Sequence, residues 1–395
     1  MARQALIIGP GRIGCGYLAP LFADAGWDVV LAARTARRAA MIEAAGDLQV
    51  RCAGDPCPQR VSVRAVPIAG EAFTRAACEA DLIATAVGAR RLPGLAVPLA
   101  RALAARAGDA PVDVWTVENG DVAPVLAAAV RRAAAGLGLT LPPVGFAGAI
   151  AEVVVAHGDW KRSARPVFVG DGWRRMLVDE TALLTALPRL PGVTGTGRYR
   201  ERLLEKAVGF SAGHMLCAYL GALRGHRLID RAVADPQLRP LIQRSLLQAR
   251  TAFLRAHALD DEVEGPVELA LERYADARLG DPVARVARDP VRKLAPEGPL
   301  VAPARLVLET TLRVPAGFAV AIAGALLYRS PDDPHARRLA ELMRLYDVAE
   351  ILEKVSGLRH DDPLAREVVR LHSRLRRTVA AWAPFRRAVA AEARG

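Results

Sequence analysis

Three glycines near the start of the chain constrain its fold more than any other feature. Residues 4–14 read QALIIGPGRIG, an apolar run that ends on Gly9, Gly11 and Gly14. The spacing is G-x-G-x-x-G, and its surroundings are those the pattern needs: a buried strand before it and a helical stretch, Arg12 to Ala25, after it. In such a turn the first glycine makes a bend that a side chain would obstruct. The second lets backbone N–H groups approach a pyrophosphate, and the third lets helix and strand pack closely. The expected ligand is a dinucleotide, held by Gly9, Gly11, Arg12, Ile13 and Gly14. Val87, in the later strand-end segment Thr85 to Gly88 (TAVG), is expected to line the same site.

The downstream pattern agrees. Asp28 to Ala33 reads as a second buried strand and Ala36 to Ala45 as a second helix. Asp81 to Gly88 and Val112 to Glu118 read as further strands, separated by the helical stretch Ala96 to Ala107. Alternating strands and helices predict an α/β fold, an N-terminal Rossmann-type doubly wound parallel sheet. From about Thr181 the strand signals fade and long helical patterns take over, punctuated by Pro236, Pro240, Pro282, Pro290 and Pro315. The expected organisation is a dinucleotide-binding domain over 1–185, a mainly α-helical substrate domain over 186–377, and a basic tail over 378–395.

The end of the second strand bears on which dinucleotide binds. An acidic residue there would bond a ribose hydroxyl, but the chain reads Ala33-Arg34-Thr35. A small residue followed by arginine suits a 2′-phosphate, so NADP(H) is expected over NAD(H), with Arg34 as the contact. Arg37 and Arg38 read as a solvated face.

Charge and cysteine content narrow the alternatives. The net charge is +12, but the stretch from Leu364 onward alone holds eight arginines against two glutamates. With no nucleic-acid-binding signature, this reads as a solvated basic helix and no nucleic-acid partner is expected. The five scattered cysteines lack a matching Cys/His pair for tetrahedral zinc, so they read as reduced packing thiols and no metal is expected. The most apolar later stretch, Ala316 to Tyr328, is shorter than the roughly twenty residues that span a bilayer. No signal-peptide pattern opens the chain. The expectation is a cytoplasmic monomer or homodimer acting on a small-molecule substrate, with no membrane partner.

Of the 54 basic residues only four are lysines: Lys161, Lys206, Lys293 and Lys354. Arginine stays protonated in proteins, whereas a buried lysine can lose its proton and act as a base. Lys206 lies in a helical run that continues to His214. On a regular helix the two would sit roughly 80° apart and about 12 Å along the axis, with Ser211 between them. Such a pair can flank one small substrate, or it can be structural.

Several segments carry a resemblance. They include Gly16 after the glycine turn, ADAG (Ala23 to Gly26), TAVG, VEN (Val117 to Asn119) and GF (Gly145, Phe146). Further on come VDET (Val178 to Thr181), PGV (Pro191 to Val193), GHMLCAYLGALRGH (Gly213 to His226) and RDPVRKL (Arg288 to Leu294). In order and spacing these resemble the polyol-specific long-chain dehydrogenases, over nearly the whole chain to about residue 377. The resemblance implies a zinc-independent oxidoreductase of polyols or sugars, phosphorylated or free. It implies Lys206 as general acid/base, with position 211 and His214 holding the reacting oxygen. It also implies Asn119 near the nicotinamide and the reacting carbon, and Arg292 and Lys293 in the segment that binds the far end of the substrate. Asn119 also reads as a turn residue before Gly120, and Arg292 with Lys293 as a helix-end charge pair.

The chain departs from the family pattern in places. Ser211 stands where the family has Asn, and a hydroxyl offers one donor in place of an amide's two. Glu152-Val153 replaces an Asp-Arg pair, and Asp276-Ala277 an Asn-Pro. These mark a divergent member. Two other readings stay open: a ketopantoate-reductase-like 2-keto acid reductase, and a non-catalytic dinucleotide sensor.

Overall fold

The computed structural model describes residues 2–106, 108, 110–160, 163–257 and 266–392. Lys161 and the last three residues of the basic tail lie outside them. The chain divides between Leu203 and Leu204 into two compact units.

In the first unit, β1 (Gln4–Ile8), α1 (Ala19–Asp24), β2 (Asp28–Ala33) and α2 (Ala36–Ala45) open the chain. β3 (Asp47–Cys52), β4 (Gln59–Ser62), β5 (Arg64–Pro67), α3 (Glu71–Glu79) and β6 (Leu82–Thr85) follow. Next come α4 (Ala96–Ala104), β7 (Val112–Thr116), α5 (Ala123–Gly136) and β8 (Val144–Ala151). β9 (Val155–His157), β10 (Val167–Gly170), β11 (Met176–Asp179) and β12 (Val193–Thr196) complete the set.

Eight strands form one sheet in the order β12-β11-β8-β7-β6-β1-β2-β5. All neighbours pair in parallel except β11 against β8. β1 explains why its sequence is apolar throughout rather than alternating. Ala5 and Ile7 pack into one core with Phe22, Leu31 and Trp115, while Leu6 and Ile8 pack into the other with Val30, Phe73 and Leu99. A parallel sheet covered on both faces requires this. Strand order reverses at β1, whose neighbours are β2 on one side and β6 on the other. In open parallel sheets ligands bind at such a switch point, outside the strands' carboxyl ends.

Two features depart from the sequence expectation. A second sheet, β4-β3-β10-β9, is built from half-polar strands, and its central pair joins β3 to β10, far apart in the chain. Strand structure also runs past Thr181, because β12 pairs in parallel with β11 through Val193 to Thr196.

The second unit is helical. α6 (Tyr199–Lys206) crosses the division and leads into α7 (Ala212–Arg224), α8 (Ile229–Ala234), α9 (Arg239–Ala256) and α10 (Pro266–Ala275). α11 (Val283–Val286), α12 (Pro290–Lys293), α13 (Val301–Thr311) and α14 (Ala316–Leu327) follow. α15 (Pro334–Leu345), α16 (Val348–Ser356) and α17 (Pro363–Glu392) end the unit, α17 carrying the backbone of the basic tail as far as Glu392. α7 is buried from Ala212 to Gly221, and the apolar stretch at 316–328 is α14, a core helix apolar on nearly all sides. Small residues let it pack closely: a Cβ on Gly324 would meet Leu223 at 2.9 Å. Among the described residues no helix is long and apolar enough to cross a membrane.

Candidate functional site

The glycine turn has the geometry its spacing predicts. Gly9 sits at φ +109°, open to few residues other than glycine, and a Cβ there would lie 2.6 Å from the Ala86 carbonyl oxygen. A Cβ on Gly14 would collide with the Gly9 carbonyl oxygen, so the third glycine lets the helix close onto the strand end. Gly11 differs: nothing stands within 4 Å of where its Cβ would be, and the residue is exposed. The turn is therefore packed at its first and third glycines and open at its second, the arrangement a pyrophosphate needs. Its backbone is closed by Gly11 N–H donating to Gly9 O and Cys15 N–H to Gly11 O, both at 2.8 Å. The helix expected from Arg12 contains a π turn over Gly14–Leu18, where Gly16 lies against Val155 of β9. Arg12 and Ile13 sit half-buried at the start of that helix.

The other first-unit candidates stand at the same edge of the sheet. Val87 follows β6, with its side chain beside Gly9. Asn119 is exposed beyond β7, before Gly120 at φ +106°. Arg34 is exposed at the end of β2, and Arg38 leans over the Trp160 ring at 5.9 Å. Sequence reasoning missed Glu118. Its buried carboxylate accepts N–H bonds from Val87 at 2.7 Å and Gly88 at 2.8 Å, tying the ends of β6 and β7 together. Burial pushes its carboxyl pKa upward against those bonds. The only signal for it was an acidic residue in the segment VEN. Glu152, where the family has Asp-Arg, finds its arginine elsewhere, in an ion pair with Arg175 at 3.5 Å.

In the helical unit, Lys206, Ser211 and His214 lie on one helical run, but not on a regular helix. A π turn spans Ala207–Ser211. It takes up about one extra residue, so Ser211 and His214 fall within roughly 40° and 20° of Lys206 rather than the 140° and 80° of a regular helix. The irregularity thus gathers the three side chains on one face. Lys206 and Ser211 are half-buried.

His214 is 8% exposed, and its ring is held on several sides. Nε2 lies 2.9 Å from Asp281 Oδ2, the ring stacks on Tyr274 at 5.0 Å, and Phe210 meets it edge-on at 5.8 Å. Asp281 is itself clamped by Arg285, which donates from Nε at 2.5 Å and Nη2 at 2.6 Å. Burial alone would raise the Asp281 carboxyl, but the Arg285 and His214 hydrogen bonds outweigh it and hold the group well below the usual carboxylate range. Burial pushes the His214 ring down, with Asp281 opposing.

The two substrate-segment residues separate. Arg292 is exposed and pairs with Asp289 at 3.7 Å. Lys293 is buried, not part of a surface charge pair; its ammonium donates to the carbonyls of Val286 and, at 2.7 Å, Arg288. Burial, reinforced by the Arg292 charge, pushes its pKa down to about 7. Asp276, in place of the family's Asn, caps the short turn Ala277–Leu279 by accepting from Arg278 N–H at 3.0 Å. Among the described residues no group of three or more His, Cys, Asp or Glu could hold a metal.

Residues 199–388, which carry Lys206, Ser211, His214, Asp281 and Lys293, match the family described as mannitol dehydrogenase C-terminal domain. The matched stretch runs from the start of α6 into α17. The fold is similar to that of Pseudomonas fluorescens mannitol 2-dehydrogenase, solved as a ternary complex with NAD and D-mannitol. The two are 16% identical with a TM-score of 0.70, over 96% of this chain and 93% of that one. It is also similar to a substrate-free D-sorbitol dehydrogenase, at 15% identity and TM-score 0.67 over 96% and 94%. The 2-dehydropantoate 2-reductase from Geobacter metallireducens aligns less well, at 17% identity and TM-score 0.50 over 87% and 99%.

The two tight glycines and the open one should respond differently to alanine. Gly14→Ala is expected to destabilise the first unit by about 1–3 kcal/mol. Gly11→Ala should leave thermal unfolding unchanged while weakening dinucleotide binding at least roughly tenfold, because its Cβ would occupy the pyrophosphate's approach. Equal effects of both variants on unfolding would refute this assignment. Lys293 makes a prediction about pH. Its folded value of about 7 lies below the ordinary 10.5, so between these limits the unfolded chain holds the extra proton. Stability should therefore rise with pH across that window, by about 1.4 kcal/mol per unit from this group. Urea unfolding at pH 7.5 and 9 should show that Lys293→Met loses this increment.

Proposed function

We propose that this protein is an NADP(H)-preferring, metal-independent oxidoreductase. It would interconvert a secondary alcohol and a ketone on a polyol or sugar, including phosphorylated substrates of the mannitol-1-phosphate/fructose-6-phosphate type. The observation that carries the proposal is a mannitol dehydrogenase C-terminal domain with Lys206, Ser211 and His214 on one helical face. It follows, in one chain, a glycine turn whose second glycine is open. The NAD and D-mannitol bound by the Pseudomonas fluorescens relative are in keeping with a dinucleotide and a polyol here.

The bound cofactor supplies the hydride acceptor in oxidation and the donor in reduction. Gly9, Gly11, Arg12, Ile13 and Gly14 would hold it, with Val87 beside them and Arg34 available for a 2′-phosphate. In oxidation the neutral amine of Lys206 takes the hydroxyl proton; in reduction its ammonium returns one. Ser211 Oγ–H donates to the reacting oxygen as charge develops on it, and Asn119, beyond β7, is the first unit's candidate beside the nicotinamide. Arg292 suits a substrate phosphate better than Lys293 does, because its guanidinium is exposed while the Lys293 ammonium already donates to two carbonyls.

A second reading, a dinucleotide sensor without turnover, draws support from Ser211 and from the engagement of His214 Nε2 by Asp281. NADPH consumption against ketoses, ketose phosphates and 2-keto acids separates the readings. Binding without turnover on all three would favour the sensor, and turnover confined to 2-keto acids a keto acid reductase.

Lys206→Ala should lower turnover by at least about a hundredfold while dinucleotide affinity stays unchanged. Retention of most activity would exclude the proton-transfer role. Arg34→Ala should weaken NADPH binding roughly tenfold and leave NADH binding unaltered, as read by fluorescence titration. An equal loss for both cofactors would remove the case for a 2′-phosphate contact.

A further inference from the structure

His214 has two ring nitrogens, and the structure commits only one of them. Nε2 faces Asp281 Oδ2 at 2.9 Å. Both oxygens of Asp281 also accept from Arg285, which fixes it as an anion that can only accept hydrogen bonds. The Nε2 atom must therefore carry the hydrogen. Nδ1 has no hydrogen-bond partner among the described residues, and the His214 side chain keeps about a tenth of its surface open.

We propose that Asp281 is a positioning residue that holds His214 as the Nε2–H tautomer, leaving Nδ1 as a hydrogen-bond acceptor for a substrate hydroxyl. The substrate part rests on the oxidoreductase reading above. The charged and titratable groups around the ring are Asp281 and Arg285 at α11, Lys293 on α12, and Tyr274 on α10 with Arg273 over the neighbouring Phe210. Burial and the two cations keep the ring neutral against the pull of Asp281.

A neutral imidazole presenting only a lone pair cannot stabilise a forming alkoxide, which needs donors. Its partner must be an O–H group other than the one that loses its proton to Lys206. The site should then favour substrates with a second hydroxyl close to the reacting carbon, vicinal diols in one direction and hydroxyketones in the other. A lone secondary alcohol would leave Nδ1 unpaired.

The test uses the full-length protein with 15N-labelled histidine. Long-range 1H–15N spectra of the wild type should show His214 protonated at Nε2 and bare at Nδ1; the opposite tautomer overturns the proposal without any need for a variant. In Asp281→Asn, Arg285 keeps the amide oxygen and the amide N–H turns toward Nε2, so the tautomer should flip. With NADP+ as cofactor, kcat/KM for D-mannitol should fall roughly 10- to 100-fold in that variant, while that for a monohydroxy secondary alcohol changes little. Dinucleotide affinity should hold. Equal losses on both alcohols would reject the acceptor role. Failure of the wild type to oxidise any alcohol counts against the oxidoreductase reading, whereas the tautomer signals report on Asp281 independently of it.

Discussion

The first unit depends on one close approach, Gly14 against the carbonyl oxygen of Gly9. That contact lets the helix after the turn close onto the end of β1, the strand at which the sheet order reverses. Several neighbouring features are arranged around it. Ala86 and Val87, just after β6, press against Gly9, and the buried Glu118 carboxylate ties that segment to the end of β7. The carboxyl ends of these strands are therefore held by backbone packing and a buried acid. The one open position, Gly11, is where a ligand's charge would replace protein contacts. A rigid cradle with a single vacancy of this kind is preorganised, so little ordering is left for binding to impose.

The helical unit solves a different problem, that of placing polar chemistry inside an apolar core. α7 is buried for ten successive residues, yet it carries His214. The ring is tolerated because Asp281 satisfies its Nε2, and Asp281 because Arg285 grips both its oxygens while reaching toward solvent. Removing either acid or base alone would strand the other charge, the costly way to break a buried pair. Lys293 is handled differently. It is buried with carbonyl partners and, among the described residues, no direct carboxylate contact, and its charge is correspondingly easy to lose.

Legibility from sequence followed the locality of the interactions. β2 and α2 match their expected limits, Asp28 to Ala33 and Ala36 to Ala45. β2 is apolar without a break from Val29 to Ala33, Thr35 caps the start of α2 and Gly46, at φ +68°, ends it. The second sheet was not legible, because β3 pairs with β10 more than a hundred residues later and its exposed face is polar. Lys206 and His214 stood out through the scarcity of lysine and the family motif, but their shared face did not, since a π turn has no residue signature. Asp281 lies 67 residues from His214 and nothing local connects them. With arginine at nearly every other basic position, four lysines are left in which a titratable amine could be sought. The lysine whose pKa burial brings to about 7, however, is Lys293, which reads from sequence either as a substrate-segment residue or as half of a helix-end charge pair.

The π turn between Lys206 and His214 also bears on how such a face could arise. On a regular helix the two residues would point well apart, and shifting either by ordinary substitution would need several coordinated changes. Inserting a single residue into an existing turn rotates everything upstream relative to everything downstream by about 100° in one event. The packed interior of α7 can stay as it was while the preceding turn swings Lys206 into line. The same reasoning runs backward: losing one residue here would return a smooth helix, leave the core almost intact, and disperse the face. Length polymorphism at this point, more than amino-acid exchange, is where a descendant could gain or lose chemistry without losing its fold.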